Sequence, residues 1–219
     1  ILYKDKGFDE FCKKCFAVGN LYNNHMVLQR QYDFIWCILA KAFLIKIDRS
    51  CKNKFDILLE FCLNDLKCAM HQELYLLALY FKNDPSIGRV FAKLSKDYNK
   101  GIEYALENTT WDLFHSRMTF EHTRFYDTVE NRVILPYFAT NDKGVYQYLS
   151  KCLFKAVIID HGKMIPAYRS SIELSSYIMN ESLQFQLYDE EHIVKRKVDV
   201  TQVNINLIKS KLLQELKTI

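Results

Sequence analysis

Apolar residues recur three and four positions apart over most of the first half of the chain, which is the spacing of amphipathic helices. This spacing predicts helices over 55–61, 74–81, 90–98 and 102–118. The region from Phe8 to about Lys41 has the same spacing, interrupted at Gly19-Asn20 and Asn23-Asn24, so we expect two helices there.

Shorter apolar runs interrupt this helical pattern. Residues 42–47 lead directly into the polar turn Asp48-Arg49-Ser50, which favours a short buried strand, with a continued helix as the alternative. The runs 133–140 and 156–160 predict two more strands, and a predicted helix over 145–154 separates them. Strand, helix, strand is the order of a parallel pair with a crossover. We therefore predict an α/β fold, with a small, mostly parallel sheet flanked by many helices.

The last third of the chain contains a predicted helix around 172–187, a charged segment and a final amphipathic helix over about 201–216. The charged segment is acidic at 189–191 and basic at 195–197. The final helix is suited to close the core or to bind a partner, and we favour closing the core. We divide the chain into a helical extension (1–41), an α/β domain (42–165) and a helical C-terminal segment (166–219).

Composition narrows the class of protein. With 49% hydrophobic residues, 6 Gly and 3 Pro among 219 residues, the chain suits one substantial domain with few linkers. Its seven Cys are scattered and lie mostly in apolar stretches, which favours buried thiols in a reducing cytoplasm over a disulfide framework. The longest apolar stretch is well short of the roughly 20 residues that cross a bilayer, so we expect no membrane partner. A net charge of +4 permits a nucleic-acid partner without requiring one.

Two acidic residues lie in contexts that suggest chemistry. Asp142, in Thr140-Asn141-Asp142, follows a predicted strand and precedes a predicted helix. Side chains at the carboxyl ends of parallel strands converge on the crevice where α/β folds bind ligands. Asp112 is a single acid in an aromatic and aliphatic helical stretch, and helical spacing sets His115 on the same face.

This pairing of a helical acid with Thr-x-Asp after the next strand resembles the PIN-domain family of metal-dependent nucleases. The resemblance covers about 42–160. Asp48 corresponds to the acid that ends the first strand, with Asp-Arg-Ser where members often have Asp-Thr-Asn. Glu73 is the nearest match to the acid on an early helix, and Glu60 competes with it.

The resemblance implies an endonuclease, with RNA favoured over DNA as its substrate, of the kind found in toxin or defence systems. It implies that Asp48, Asp112 and Asp142 bind Mg²⁺ or Mn²⁺, and that Glu73 and Thr140 complete the catalytic set. Beside these acids, Arg49, His115 and Arg117 are candidates for binding the substrate.

The chemistry of carboxylates gives the same expectation. Several carboxylates at one place favour a hard divalent cation, which activates water for attack on a phosphodiester. The structural alternative is that Asp112 makes a local contact, Asp142 caps the following helix and Asp48 belongs to a surface turn.

Three other interpretations remain open. Arg117 and His122 match the Arg-x4-His pattern of the HEPN family, helical ribonucleases that need no metal, in which the His is a general acid or base. Cys12 and Cys15 have the spacing of half a zinc site, with His25 as a third ligand. The chain is otherwise a non-catalytic helical interaction protein, with a second copy or a protein partner bound at its terminal helices.

Overall fold

The computed structural model describes residues 20–95, 99–121, 126–127, 132–133, 142–151, 154–160, 163–168 and 174–218. Most of these residues belong to helices. The helices are α1 (Asn20–Ile47), α2 (Lys54–Asn64), α3 (His71–Phe81), α4 (Ile102–Glu121), α5 (Lys143–Lys151), α6 (Glu181–Tyr188), α7 (Glu190–Asp199) and α8 (Ile205–Leu216). The strands are β1 (Tyr126–Asp127), β2 (Arg132–Val133), β3 (Phe154–Asp160) and β4 (Lys163–Tyr168). Short 3-10 helices cover Pro85–Ile87, Leu174–Tyr177 and Val200–Gln202.

The predicted α/β fold with a mostly parallel sheet is wrong for these residues. Their strands form two separate two-stranded sheets, β1 with β2 and β3 with β4, and both pairs are antiparallel. β3 contains the expected run 156–160, but β4 follows it after a short connection, so the two pair without a crossover helix. A mainly helical architecture replaces the expected one.

Helix α1 is the centre of the core. Its residues 32–40 are buried on every side, including Trp36, Ile38 and Leu39, and it packs against α2, α3, α4 and α8. The strand expected over 42–47 is wrong, because this run is the last part of α1. A mostly apolar helix lacks the amphipathic period, so a short run at its end has the same apolar sequence as a buried strand. The predicted domain boundary at 41 falls inside this helix.

Three predicted helices are confirmed as α2, α3 and α4. The helix expected over 90–98 is wrong for residues 90–95, which form turns. The amide of Val90 donates to the carbonyl of Ile87 (3.0 Å) and that of Leu94 to the carbonyl of Phe91 (3.0 Å). Phe91 and Leu94 are buried, so their helical spacing anchors a turn to the core instead.

The final helix closes the core, as predicted. Ile205, Leu212 and Leu216 of α8 are buried in the same core as α1. The Lys209 ammonium donates to Asp33 Oδ1 at 2.7 Å and lies 5.2 Å from the centre of the Trp36 ring. Apolar packing and a partly buried ion pair therefore hold α8 against α1.

Within the described part of the chain, no helix combines the length and the apolar character that crossing a bilayer requires. Cys37 and Cys62 are buried free thiols, as expected for small hydrophobic residues. Burial raises the pKa of Cys37 to about 12, so this thiol stays protonated.

Candidate functional site

Asp112 and Asp142 line the same pocket, although they come from separate parts of the chain. The pocket lies between α4, the start of α5 and the turns at 89–93, and encloses about 30 Å³. Two basic residues, Arg89 and Lys93, share it with the two acids, and its other lining residues are Val90, Leu113, Gly144 and Val145. The two acids in the clearest sequence contexts are thus neighbours in the fold.

The start of helix α5 fixes the Asp142 carboxylate. Asp142 Oδ1 accepts hydrogen bonds from the amides of Gly144 (2.6 Å) and Val145 (3.2 Å), which is the geometry of a helix N-cap. The expected helix-capping role of Asp142 is therefore present. It is compatible with ligand binding, because a carboxylate has two oxygens and about four lone pairs.

Close packing holds α5 against the turns at 89–93. A Cβ on Gly144 would lie 3.0 Å from the Arg89 carbonyl oxygen and 3.0 Å from Asp142 Oδ1, so a glycine permits this approach. The Arg89 amide donates to Gln147 Oε1 at 3.0 Å across the same contact. These contacts bring Asp142 to the pocket.

Asp112 is half-buried in the pocket wall. Burial raises the pKa of this carboxyl above its ordinary value, and the negative charge of Asp142 raises it further, while Lys93 and His115 act in the opposite direction. The two carboxylates are therefore near enough to repel each other. A cation between them would remove part of this cost.

The pocket supplies part of the ligand set that Mg²⁺ or Mn²⁺ would need. Mg²⁺ is usually bound by one or two carboxylates and completes its shell with water and substrate phosphate, and Asp112 and Asp142 supply two carboxylates. A volume of 30 Å³ leaves room for about two water molecules. Within the described residues no group of three His, Cys, Asp or Glu side chains could hold a metal ion.

Asp48, the third predicted metal ligand, is not among the residues that line this pocket. It belongs to the exposed turn after α1, where its carboxylate accepts hydrogen bonds from the Ser50 amide (2.8 Å), the Ser50 hydroxyl (2.7 Å) and the Cys51 thiol (3.2 Å). These hydrogen bonds lower the pKa of Asp48 to about 2. Arg49 is exposed on the same turn, also outside the pocket lining.

Glu73 and Arg117, predicted as a catalytic acid and a substrate ligand, pair with each other. Arg117 Nε donates to Glu73 Oε1 at 3.0 Å and Arg117 Nη2 to Glu73 Oε2 at 2.9 Å. The Glu73 side chain has 0% of its surface exposed and that of Arg117 has 12%. Because a buried charge is costly unless paired, this bidentate contact links α3 to α4 as part of the core.

The remaining predicted residues divide into two groups. His115 is exposed on α4, and its ring lies 5.0 Å from that of Trp111, next to Asp112. Thr140 and His122 lie outside the described residues, as do Cys12 and Cys15 and the side chain of His25. Glu60, the alternative to Glu73, is exposed on α2 and does not line the pocket that contains Asp112 and Asp142.

Arg89 and Lys93 were not predicted as site residues. Lys93 was assigned to the helix expected over 90–98 and Arg89 immediately precedes that range, and a basic residue before or within a turn has no distinguishing sequence pattern. Only the docking of α5 on these turns identifies them.

Comparison with models of protein families, with curated proteins and with solved structures finds no match for this chain. The resemblance to the PIN-domain family stays a prediction from short motifs.

Proposed function

We propose that this chain is a Mg²⁺- or Mn²⁺-dependent nuclease whose site is the pocket that contains Asp112 and Asp142. The observation that carries the proposal is the meeting of these two carboxylates in one pocket with Arg89 and Lys93. Carboxylates suit a divalent cation, and basic side chains suit the phosphate that the cation and its water would act on.

A nucleic acid is the phosphodiester that the resemblance to the nuclease family implies, and Arg89 and Lys93 supply positive charge for its backbone at the pocket. The exposed rings of Trp111 and Tyr146 lie on the same helices as the pocket residues, but helical rotation turns each about 150° away from them. The basic side chains, and not these rings, therefore support a nucleic-acid substrate.

Each described residue of the pocket has a role in this proposal. Asp112 and Asp142 would hold the cation, and the capped geometry of Asp142 keeps its carboxylate in place as the substrate binds. Arg89 and Lys93 would neutralise the scissile phosphate and stabilise the added negative charge of the transition state. When bound, the cation supplies a Lewis acid and lowers the pKa of water at the site.

Cleavage of labelled single-stranded RNA and DNA in Mn²⁺, Mg²⁺ or EDTA tests the proposal. Asp112→Asn and Asp142→Asn each should lower the rate about 100-fold or more, since each removes a charge that holds the cation. Asn is also a good N-cap, so Asp142→Asn preserves the start of α5. The exposed acid Asp65, at the end of α2, supplies the control Asp65→Asn, which we expect to leave the rate unaltered.

The variant Asp48→Asn distinguishes a site confined to the pocket from the three-acid site, with Asp48, that the sequence predicted. If activity resides in the pocket, this variant keeps its rate. A loss of rate as large as that of Asp112→Asn would instead mean that Asp48 takes part in the chemistry.

The metal-independent ribonuclease of the HEPN kind remains the second candidate, because that family is helical and the described part of this chain is mainly helical. The engagement of Arg117 by Glu73 weighs against it, since two of the guanidinium N–H groups are already donated inside the core. Full activity in EDTA, lost in His122→Ala, would favour this candidate and overturn the proposal.

A further inference from the structure

Helix α7 (Glu190–Asp199) has an outward face that the described fold leaves uncovered. None of its residues is buried, and Val194 and Val198 are 55% and 59% exposed. These two valines are four positions apart, so they lie one above the other on the same face of the helix.

The opposite side of α7 is held to the rest of the molecule. Arg196 Nη2 donates to the Leu187 carbonyl at 3.0 Å, and Arg196 Nη1 donates to the Gln186 carbonyl, so this side chain caps the end of α6. At about 100° per residue, Arg196 points about 160–200° away from the two valines. The valine stripe therefore faces directly outward.

Charges of opposite sign flank the stripe along its length. The same rotation sets Glu190 and Lys197 along one edge and Glu191 and Lys195 along the other, with each acid about one to two turns before its lysine. All four side chains are exposed, and none forms an ion pair with another residue of the described ranges. Both edges are thus acidic near the start of α7 and basic near its end.

We propose that α7 is a self-association surface, and that two copies of the chain pair through antiparallel α7 helices. A two-fold axis that passes near Val194, perpendicular to both helices, makes the two helices antiparallel. It also sets each edge of one helix against the same edge of the other. Glu190 then meets Lys197 of the second copy, Glu191 meets its Lys195, and the valines pack between these pairs. The charge pattern fits this orientation, whereas a parallel pairing would set like charges opposite each other.

The contact is small. Ten residues of helix span about 15 Å, so one pair of such helices buries well under the roughly 1,200 Å² of a stable interface. We therefore expect a weak dimer, with a dissociation constant on the order of 100 µM. The proposal does not depend on the nuclease assignment.

Sedimentation equilibrium between about 10 µM and 1 mM tests the pairing with two charge-reversed proteins. The first carries Glu190→Lys with Glu191→Lys, and the second carries Lys195→Glu with Lys197→Glu. Each alone sets like charges opposite each other and should be monomeric. Mixed in equal amounts, they should form a heterodimer at least as tight as the dimer of the unaltered protein. Lys211→Glu, an exposed reversal on α8, is the matched control and should leave the unaltered dimer intact.

Recovery on mixing also guards against misfolding, since a protein unfolded by its substitutions would not regain a partner. A monomer at 1 mM would overturn the proposal, and so would a dimer that resists both reversals. Loss of the dimer in each variant without recovery in the mixture would contradict the antiparallel pairing.

Discussion

The buried ion pair between Glu73 and Arg117 gives the sharpest prediction about stability. The two side chains make a bidentate contact at 3.0 and 2.9 Å, with 0% of the Glu73 surface and 12% of the Arg117 surface exposed. Glu73→Leu removes the carboxylate and leaves the guanidinium charge almost without solvent. The structural role of the pair therefore predicts a large loss of stability.

The magnitude follows from the burial of the two partners. Removing one partner of a buried ion pair costs about 3–5 kcal/mol, and the small exposure of Arg117 suggests the lower end, about 3 kcal/mol. At roughly 2–4 °C per kcal/mol for a chain of this size, Glu73→Leu should lower Tm by about 6–12 °C. The double variant Glu73→Leu/Arg117→Met should recover most of this loss, because an apolar pair of similar volume is often neutral or stabilising.

Thermal unfolding followed by circular dichroism measures all four members of this double-mutant cycle. Glu215→Gln is the control, since the pair Lys41–Glu215 is long (3.8 Å) and its side chains are 26% and 52% exposed. Removal of that pair should cost at most about 1 kcal/mol. If Glu73→Leu costs no more than this control, or if the double variant loses as much as the two single variants added together, the reasoning fails.

Two further predictions concern the pocket. The pKa of Asp112 is raised in the fold by burial first and by Asp142 second, so its stability contribution falls as pH rises above the ordinary pKa of 3.8. Asp112→Asn should therefore unfold at a higher temperature than the unaltered protein at pH 7, with a difference that shrinks as pH falls and disappears below pH 3.8; an equal or lower Tm at pH 7 would contradict this. Gly144→Ala introduces a Cβ 3.0 Å from the Arg89 carbonyl and from Asp142 Oδ1, so it should lower Tm although Ala favours helices by about 1 kcal/mol over Gly. A higher Tm for Gly144→Ala in the same unfolding scan would mean that α5 and the turns at 89–93 accommodate the added Cβ without loss of stability.

The sequence predicted α2 and α4, in which solvent-facing positions recur between buried ones at helical spacing. It also predicted α3, although residues 73–79 of that helix are all buried, because its apolar run is long enough for the three- and four-residue spacing to be seen. It failed at the end of α1, where the mostly apolar run 42–47 is too short to show a period that separates helix from strand. The strand expected there was the reason for placing Asp48 in the acid cluster, and the turn found instead leaves Asp48 outside the lining of the pocket.

The sequence predicted only part of the candidate site, because local patterns identify single residues and not contacts between residues far apart in the chain. Asp112 and Asp142 were chosen on local context, and the fold brings them to one pocket. The pairing of Glu73 with Arg117 joins two helices across the core, and no local pattern signals a contact between residues so far apart in sequence. A charged residue among apolar neighbours signals only that a partner is needed. The packing of both helices against α1 decides which partner it finds.

Direct binding of Mn²⁺ is the measurement closest to the central claim that Asp112 and Asp142 form a cation site. The electron spin resonance of free Mn²⁺ reports how many ions the protein removes from solution. We predict that the unaltered protein and Asp48→Asn each bind one ion per chain, and that the double variant Asp112→Asn/Asp142→Asn binds none at the same concentrations. Equal binding by the double variant and the unaltered protein would contradict the account.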